Sequence, residues 1–175
     1  TCALPIYSAK TLAVAGLSVV GRDRYGVFPL RGKPRNVRDA SVKQLTENEE
    51  FSNLKKILGL QHGKKYTSLR ELRYGRLMIM TDADLDGSHI KGLVLNMIHH
   101  FWPELIPLGF LVAMVTPVIK AGQRWFFTEA AYKASGARGQ VKYYKGLGTS
   151  TSAEAKEYFK SIDKLTVKFE ADDHL

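Results

Sequence analysis

Arg76-Leu77-Met78-Ile79-Met80-Thr81-Asp82-Ala83-Asp84-Leu85-Asp86-Gly87 joins a short apolar run to three carboxylates at alternate positions. Four consecutive large apolar residues between polar flanks predict a strand covered on both faces, over Arg76 to Thr81. In an extended chain successive side chains alternate faces, so Asp82, Asp84 and Asp86 would project to one side. On a helix Asp84 would point away from the other two. The spacing therefore predicts an acidic site at the carboxyl end of a buried strand, where open α/β sheets usually place their ligands.

Three like charges this close repel one another unless a cation sits among them. Hard carboxylate oxygens, with no cysteine or clustered histidine nearby, favour Mg²⁺, Mn²⁺ or Ca²⁺ over zinc. A calcium loop of the D-x-D-x-D-G type would need a bidentate glutamate at its twelfth position. Counted from Asp82 that position is Leu93, and the preceding run is strand-like, so the EF-hand reading is set aside. An ordinary solvated acidic turn is the competing reading, since Asp and Gly are common turn residues.

Outward from this stretch, Ser88 to about Trp102 is expected to be a helix that Pro103 helps to stop. Its apolar residues cover most of the circumference, which predicts burial. Ser8 to about Val20 fits a helix with Ser8 as its cap, and Tyr25 to Leu30 a strand. Ser41 to Glu50 and Phe51 to Leu60 read as helices, the second ending at Gly59. Leu111 to Ile119, Arg124 to Thr128 and Gln140 to Tyr144 read as strands, and Ser152 to about Ile162 as a final helix. Strands alternating with helices imply a layered α/β domain with a mainly parallel sheet flanked by helices.

With 175 residues, 45% hydrophobic and 25% charged, the chain has the length and mix of one globular domain. Lysine and arginine number 26 against 17 acidic residues, a formal charge of +9, so a polyanion such as nucleic acid is the leading partner. The single cysteine, Cys2, excludes an internal disulfide framework and a cysteine-rich zinc site. No apolar run approaches the roughly 18 residues of a membrane span, so no membrane partner is expected. The chain begins at Thr1 and reads as a fragment at both ends.

Arg31-Gly32-Lys33-Pro34-Arg35-Asn36-Val37-Arg38 carries four cations with a Gly and a Pro, a loop suited to phosphate contacts or simply a solvated surface. Lys142 to Thr151 interleaves cations, aromatics and glycines but lacks the spacing of a nucleotide loop. Gly16 to Gly21 has that glycine spacing yet continues Arg22-Asp23, so ATP binding is rejected there. His89 lies near enough to Asp86 to touch a metal shell or a bound phosphate, or else is an ordinary helix-start histidine. His99 and His100 are assigned to packing or surface, and no tyrosine pairs with a base or arginine as a nucleophile would.

Three strings together carry a resemblance: Gly26-Val27-Phe28-Pro29-Leu30-Arg31-Gly32-Lys33, Met80 to Gly92, and Lys142 to Thr151. They resemble the Toprim domain of type IIA DNA topoisomerases, a Rossmann-like fold, and look more like the eukaryotic and viral enzymes than bacterial gyrase. The resemblance implies a fragment of an ATP-dependent enzyme that cleaves one DNA duplex, passes another through it and religates the break. It makes Asp82 and Asp84 direct Mg²⁺ ligands, Asp86 a ligand or its outer neighbour, and Mn²⁺ or Ca²⁺ substitutes. Arg31, Lys33, Lys145 and His89 become contacts to double-stranded DNA. ATP would belong to a separate module, the nucleophilic tyrosine to a following winged-helix domain, and the whole enzyme would be a homodimer. A nuclear location follows from the eukaryotic-like motifs, with viral and organellar origins left open.

The resemblance breaks at the front. The family begins with Glu-Gly-Asp-Ser-Ala-Lys, whereas here Pro5-Ile6-Tyr7 precedes Ser8-Ala9-Lys10. The family glutamate, a metal ligand and acid-base group, is thus replaced at Pro5, so no catalytic residue is assigned to this chain and the fragment alone is expected to be inactive. Pro5 is also expected to disturb a central strand. Residues 1–7 are read as a non-native segment, 8–160 as the Toprim domain, and 161–175 as the start of a connection to the winged-helix domain. A noncatalytic DNA-binding module and another Toprim enzyme, a primase or nuclease, are the alternatives.

Overall fold

The computed structural model describes residues 1–170. Its main sheet has five strands in the order β2-β1-β3-β4-β8. These are β1 (Cys2–Pro5), β2 (Gly26–Val27), β3 (Leu77–Met80), β4 (Leu111–Met114) and β8 (Thr166–Lys168). The first four run parallel, and β8 pairs antiparallel with β4. Every residue of β1, β3 and β4 is buried, as expected for strands with helices on both faces. Alternation divides them between two cores. Leu4, Leu77, Ile79 and Leu111 face a cluster with Ile90, Val94, Ile98 and Trp102, while Ala3, Met78, Met80 and Val112 face Leu12, Ala13, Tyr158 and Phe159.

The helices are α1 (Lys10–Val20), α2 (Val42–Thr46), α3 (Glu49–Leu58), α4 (Leu85–Phe101), α5 (Glu129–Ser135) and α6 (Ser152–Lys160). Ser41 and Asn48 cap α2 and α3 through side-chain oxygens, and α3 ends at Gly59 in the left-handed conformation that glycine adopts without strain. Ser8 is no cap. It lies within a 3-10 turn, Tyr7–Ala9, that leads into α1 without a side-chain cap bond. No helix among the described residues is long and apolar enough to cross a membrane.

The expected single strand from Leu111 to Ile119 is in fact two strands in different sheets. The chain leaves β4 at Met114, and after Thr116-Pro117 it enters a three-stranded antiparallel sheet of order β6-β5-β7. That sheet comprises β5 (Ile119–Ala121), β6 (Arg124–Phe126) and β7 (Val141–Tyr143). A proline removes a ladder donor, and here it marks where the main sheet is abandoned.

Pro5 does not disturb the central strand. Strand β1 lies between β2 and β3, with Pro5 as its last residue opposite Met80. The Ile6 N–H donates to the Met80 carbonyl at 2.9 Å, and the Pro5 carbonyl accepts from Leu30 N–H at 2.8 Å. A strand residue's N–H and C=O point to the same side, so the missing Pro5 donor faces β2 and leaves the β1–β3 ladder whole. At the other end, Thr166–Lys168 joins the main sheet, so this part of the expected connection is built into the fold. Residues 171–175 lie outside the described residues.

Candidate acidic site and its basic rim

Strand β3 stops at Met80, and α4 begins at Leu85, three residues earlier than expected. This earlier start overturns the picture of three aspartates on one extended face. Asp84 has extended backbone and serves as the N-cap of α4, its Oδ1 accepting from Gly87 N–H at 2.7 Å. Asp86 lies in the helix's first turn, where negative charge is favoured by the helix dipole. Asp82 sits between strand and helix, and its Oδ1 accepts from Leu147 N–H at 2.6 Å. Each carboxylate therefore has its own protein partner.

All three nevertheless line one cleft of about 310 Å³, together with Tyr7, Lys33 and Ile90. The cleft lies at the carboxyl ends of β1 and β3, the edge anticipated from the sequence. Its hard oxygen donors suit a divalent cation of the magnesium class. Their arrangement supplies one wall of a cage: among the described residues no three His, Cys, Asp or Glu side chains converge to hold a metal ion. Just past the end of β1 the cleft is lined by Ile6, Tyr7 and Ser8, which bring no carboxylate.

Basic groups border this acidic wall. Lys33 Nζ lies 2.7 Å from Asp86 Oδ1, and this hydrogen bond with its charge holds the Asp86 carboxyl below the usual range, with a smaller contribution from His89. His89 is exposed on the same helix, whereas His99 and His100 are exposed at its far end. Arg31 is exposed, and its backbone N–H donates to Glu50 Oε1 at 2.7 Å. Farther along the same loop, Asn36 Oδ1 accepts from Asn96 Nδ2 at 3.1 Å, tying the loop to α4. Lys145 is exposed on the opposite flank, one residue before Gly146, which lies against the Asp82 carboxylate. The acidic wall is thus flanked by the Arg31–Arg38 loop and by the Lys145 loop.

Sequence reasoning missed the residues that hold these loops: Glu50, Asn96 and Glu154. For Glu154 a signal existed, since Thr151-x-x-Glu154 is a capping box, and the structure forms it. Among the amides near Gly146, that of Leu147 donates to Asp82 Oδ1.

Comparison with known proteins bears on this geometry. The Toprim domain family matches residues 8–114, and the C-terminal associated domain of TOPRIM matches residues 114–174, so the two meet where β4 ends. The chain is 56% identical to DNA topoisomerase 2 of Bombyx mori over 95% of its own length and 12% of that protein's. It is 59% identical to the mitochondrial DNA topoisomerase 2 of Dictyostelium discoideum, over 95% of this chain and 14% of the other. A crystal structure of the DNA-binding, cleavage and re-ligation domain of Plasmodium falciparum topoisomerase II superposes with a TM-score of 0.90 at 51% identity. That match covers 98% of this chain and 25% of the other. The present chain therefore spans a small part of the relatives it matches. With both domain families in sequence along it, and relatives more than half identical, this chain belongs to the Toprim family in the form found in type II DNA topoisomerases.

Proposed function

We propose that this chain is the part of a type II DNA topoisomerase that grips duplex DNA through its phosphates and holds a divalent cation beside them. The observation that carries the reading is the cleft lined by Asp82, Asp84 and Asp86, with Lys33 at its edge, at the carboxyl ends of β1 and β3. Asp82 and Asp84 would be the direct ligands of Mg²⁺, with Mn²⁺ or Ca²⁺ able to substitute, and Asp86 would be a ligand or sit just outside. Such a cation would stabilise charge on a phosphodiester oxygen. Arg31, Lys33, Lys145 and His89 would contact the DNA backbone, giving strong salt dependence and little base preference. For Lys33 this means exchanging Asp86 for a phosphate. ATP hydrolysis, the attacking tyrosine and most homodimer contacts would reside in other domains, and the nucleus is the proposed location. Residues 1–7 are proposed as non-native, 8–160 as the Toprim unit, and 161–175 as the start of the link to a winged-helix domain.

Pro5 favours a second reading, a DNA-binding module without cleavage, because the cleft lacks a carboxylate at the end of β1. The two readings separate when the chain is rejoined to its winged-helix domain and supplied with Mg²⁺ and supercoiled DNA. Pro5→Glu is expected to bring cleavage that Asp82→Asn in the same background abolishes. Salt-sensitive binding, indifferent to Mg²⁺ and without cleavage even in the glutamate variant, would favour the noncatalytic module.

A further inference from the structure

The carboxylate of Glu154, near the start of α6, gathers donors from both ends of one loop. Its Oε1 lies 2.5 Å from Lys142 Nζ and accepts from Thr151 N–H at 3.1 Å, and its Oε2 accepts from the Tyr144 hydroxyl. The side chain is only 13% exposed, and Lys142 Nζ also lies 4.8 Å from the centre of the Tyr144 ring. A carboxylate this sheltered needs charged and hydroxyl donors to offset lost hydration, and it has them. The capping box requires only the exchange between Thr151 and Glu154. The bonds from Lys142 and Tyr144 are additional, and they join the end of β7 to the start of α6.

Between Tyr144 and Thr151 the chain passes Asp82. Leu147 N–H donates to Asp82 Oδ1 at 2.6 Å, and Gly146 is so close that a Cβ there would stand 2.7 Å from the same oxygen. A loop fastened at both ends to a single carboxylate has fewer conformations to lose when its middle is placed. We propose that Glu154 is a positioning residue: by clasping Tyr144 and Thr151 it presents Leu147 N–H to Asp82 and so fixes the orientation of that carboxylate in the cleft. The geometry of the clasp stands by itself, while its consequence for a cation rests on the function proposed above.

The test is residue-resolved amide exchange and Mn²⁺-induced line broadening on the 175-residue chain and three variants. In Glu154→Ala the Leu147 amide is expected to exchange faster by about tenfold or more, as loss of a charge-assisted bond implies, while Ile79 and Met80 in β3 keep their rates. Tyr144→Phe removes one of the two bonds at the β7 end, leaving that from Lys142, and should shift Leu147 in the same direction by less. Glu154→Gln keeps one acceptor oxygen and puts an NH2 donor in place of the other, so its Leu147 rate should fall between those of the alanine variant and the parent. Broadening at the Asp82 amide should then require several-fold more Mn²⁺ in the alanine variant. An unchanged Leu147 rate in both Glu154→Ala and Tyr144→Phe overturns the clasp. Absence of broadening in the parent chain overturns the cation reading alone, because the exchange rates judge the clasp without metal.

Discussion

Gly87 and Gly92 occupy one helix, α4, and should respond to alanine in opposite directions. A Cβ on Gly87 would lie 2.0 Å from the Asp82 carbonyl oxygen and 3.0 Å from Thr81 Oγ1, because the first turn is folded back onto the residues leaving β3. Alanine there is expected to destabilise the chain by about 2 kcal/mol or more, as overpacking does. A Cβ on Gly92 meets nothing within 4 Å, and the residue is exposed. Relief of glycine's backbone entropy should stabilise Gly92→Ala by about 0.5–1 kcal/mol. Urea unfolding of the two variants measures both. Asp86 supplies a pH signature at the same scale. Its folded carboxyl titrates below the ordinary value because of Lys33, so the contact's contribution is present above that ordinary value and is lost as pH falls through the depressed one. In Lys33→Gln the Asp86 titration, followed by carboxyl ¹³C shifts, should move back upward.

Helices α1 and α6 pack through Gly16, the first glycine of the near miss for a nucleotide loop. A Cβ on Gly16 would fall 2.2 Å from the Phe159 ring, which is itself buried at 1% exposure. The glycine lets two helix backbones approach, and Phe159 fills the space between them. Phe159→Ala should therefore cost about 3–5 kcal/mol through the cavity it leaves, and Gly16→Val should destabilise by forcing the helices apart; thermal unfolding reads both. Such contacts join residues over 140 positions apart, which no local pattern encodes. Helix α4, expected to be largely buried, buries one face through Ile90, Leu93, Val94, Met97 and Ile98 and leaves Ser88, His89, His99 and His100 exposed. Periodicity did reveal β3 and the mainly parallel sheet, because a four-residue apolar run is a local signal. It placed the start of α4 three residues late, since Leu85 and Asp86 are not distinctive helix residues. That displacement concealed Asp84 as an N-cap and split the aspartates among different partners. Helix α5 was missed outright: seven residues with none buried give no apolar face to read. The hard-oxygen character of the cleft was legible, while the loops steadying it depend on Glu50, Asn96 and Glu154 meeting residues far along the chain.

Over the whole molecule the formal charge of +9 is unevenly used. Several cations are engaged by acidic partners: Lys33 with Asp86, Lys64 with Glu71, Lys120 with Glu157 and Lys142 with Glu154. Those pairs neutralise locally, so affinity for a polyanion depends on which cations can meet phosphate rather than on total charge. Lys145 is exposed, and Lys33 can exchange Asp86 for a phosphate across a contact that water already screens. Each phosphate contact releases counterions and steepens the fall of log affinity against log salt by about 0.9 for duplex DNA. Lys145→Gln and Lys33→Gln should each flatten that slope by about this amount and act additively, since the two residues lie on opposite flanks of the cleft. Lys43→Gln, on α2 and paired only loosely with Glu47 at 3.9 Å, provides the control for removal of a positive charge. Fluorescence anisotropy of a labelled duplex across a salt series makes the measurement. If all three variants flatten the slope alike, the chain attracts DNA by overall charge and the cleft has no privileged role; if only the two flanking variants do, the phosphates lie along the rim of the acidic cleft.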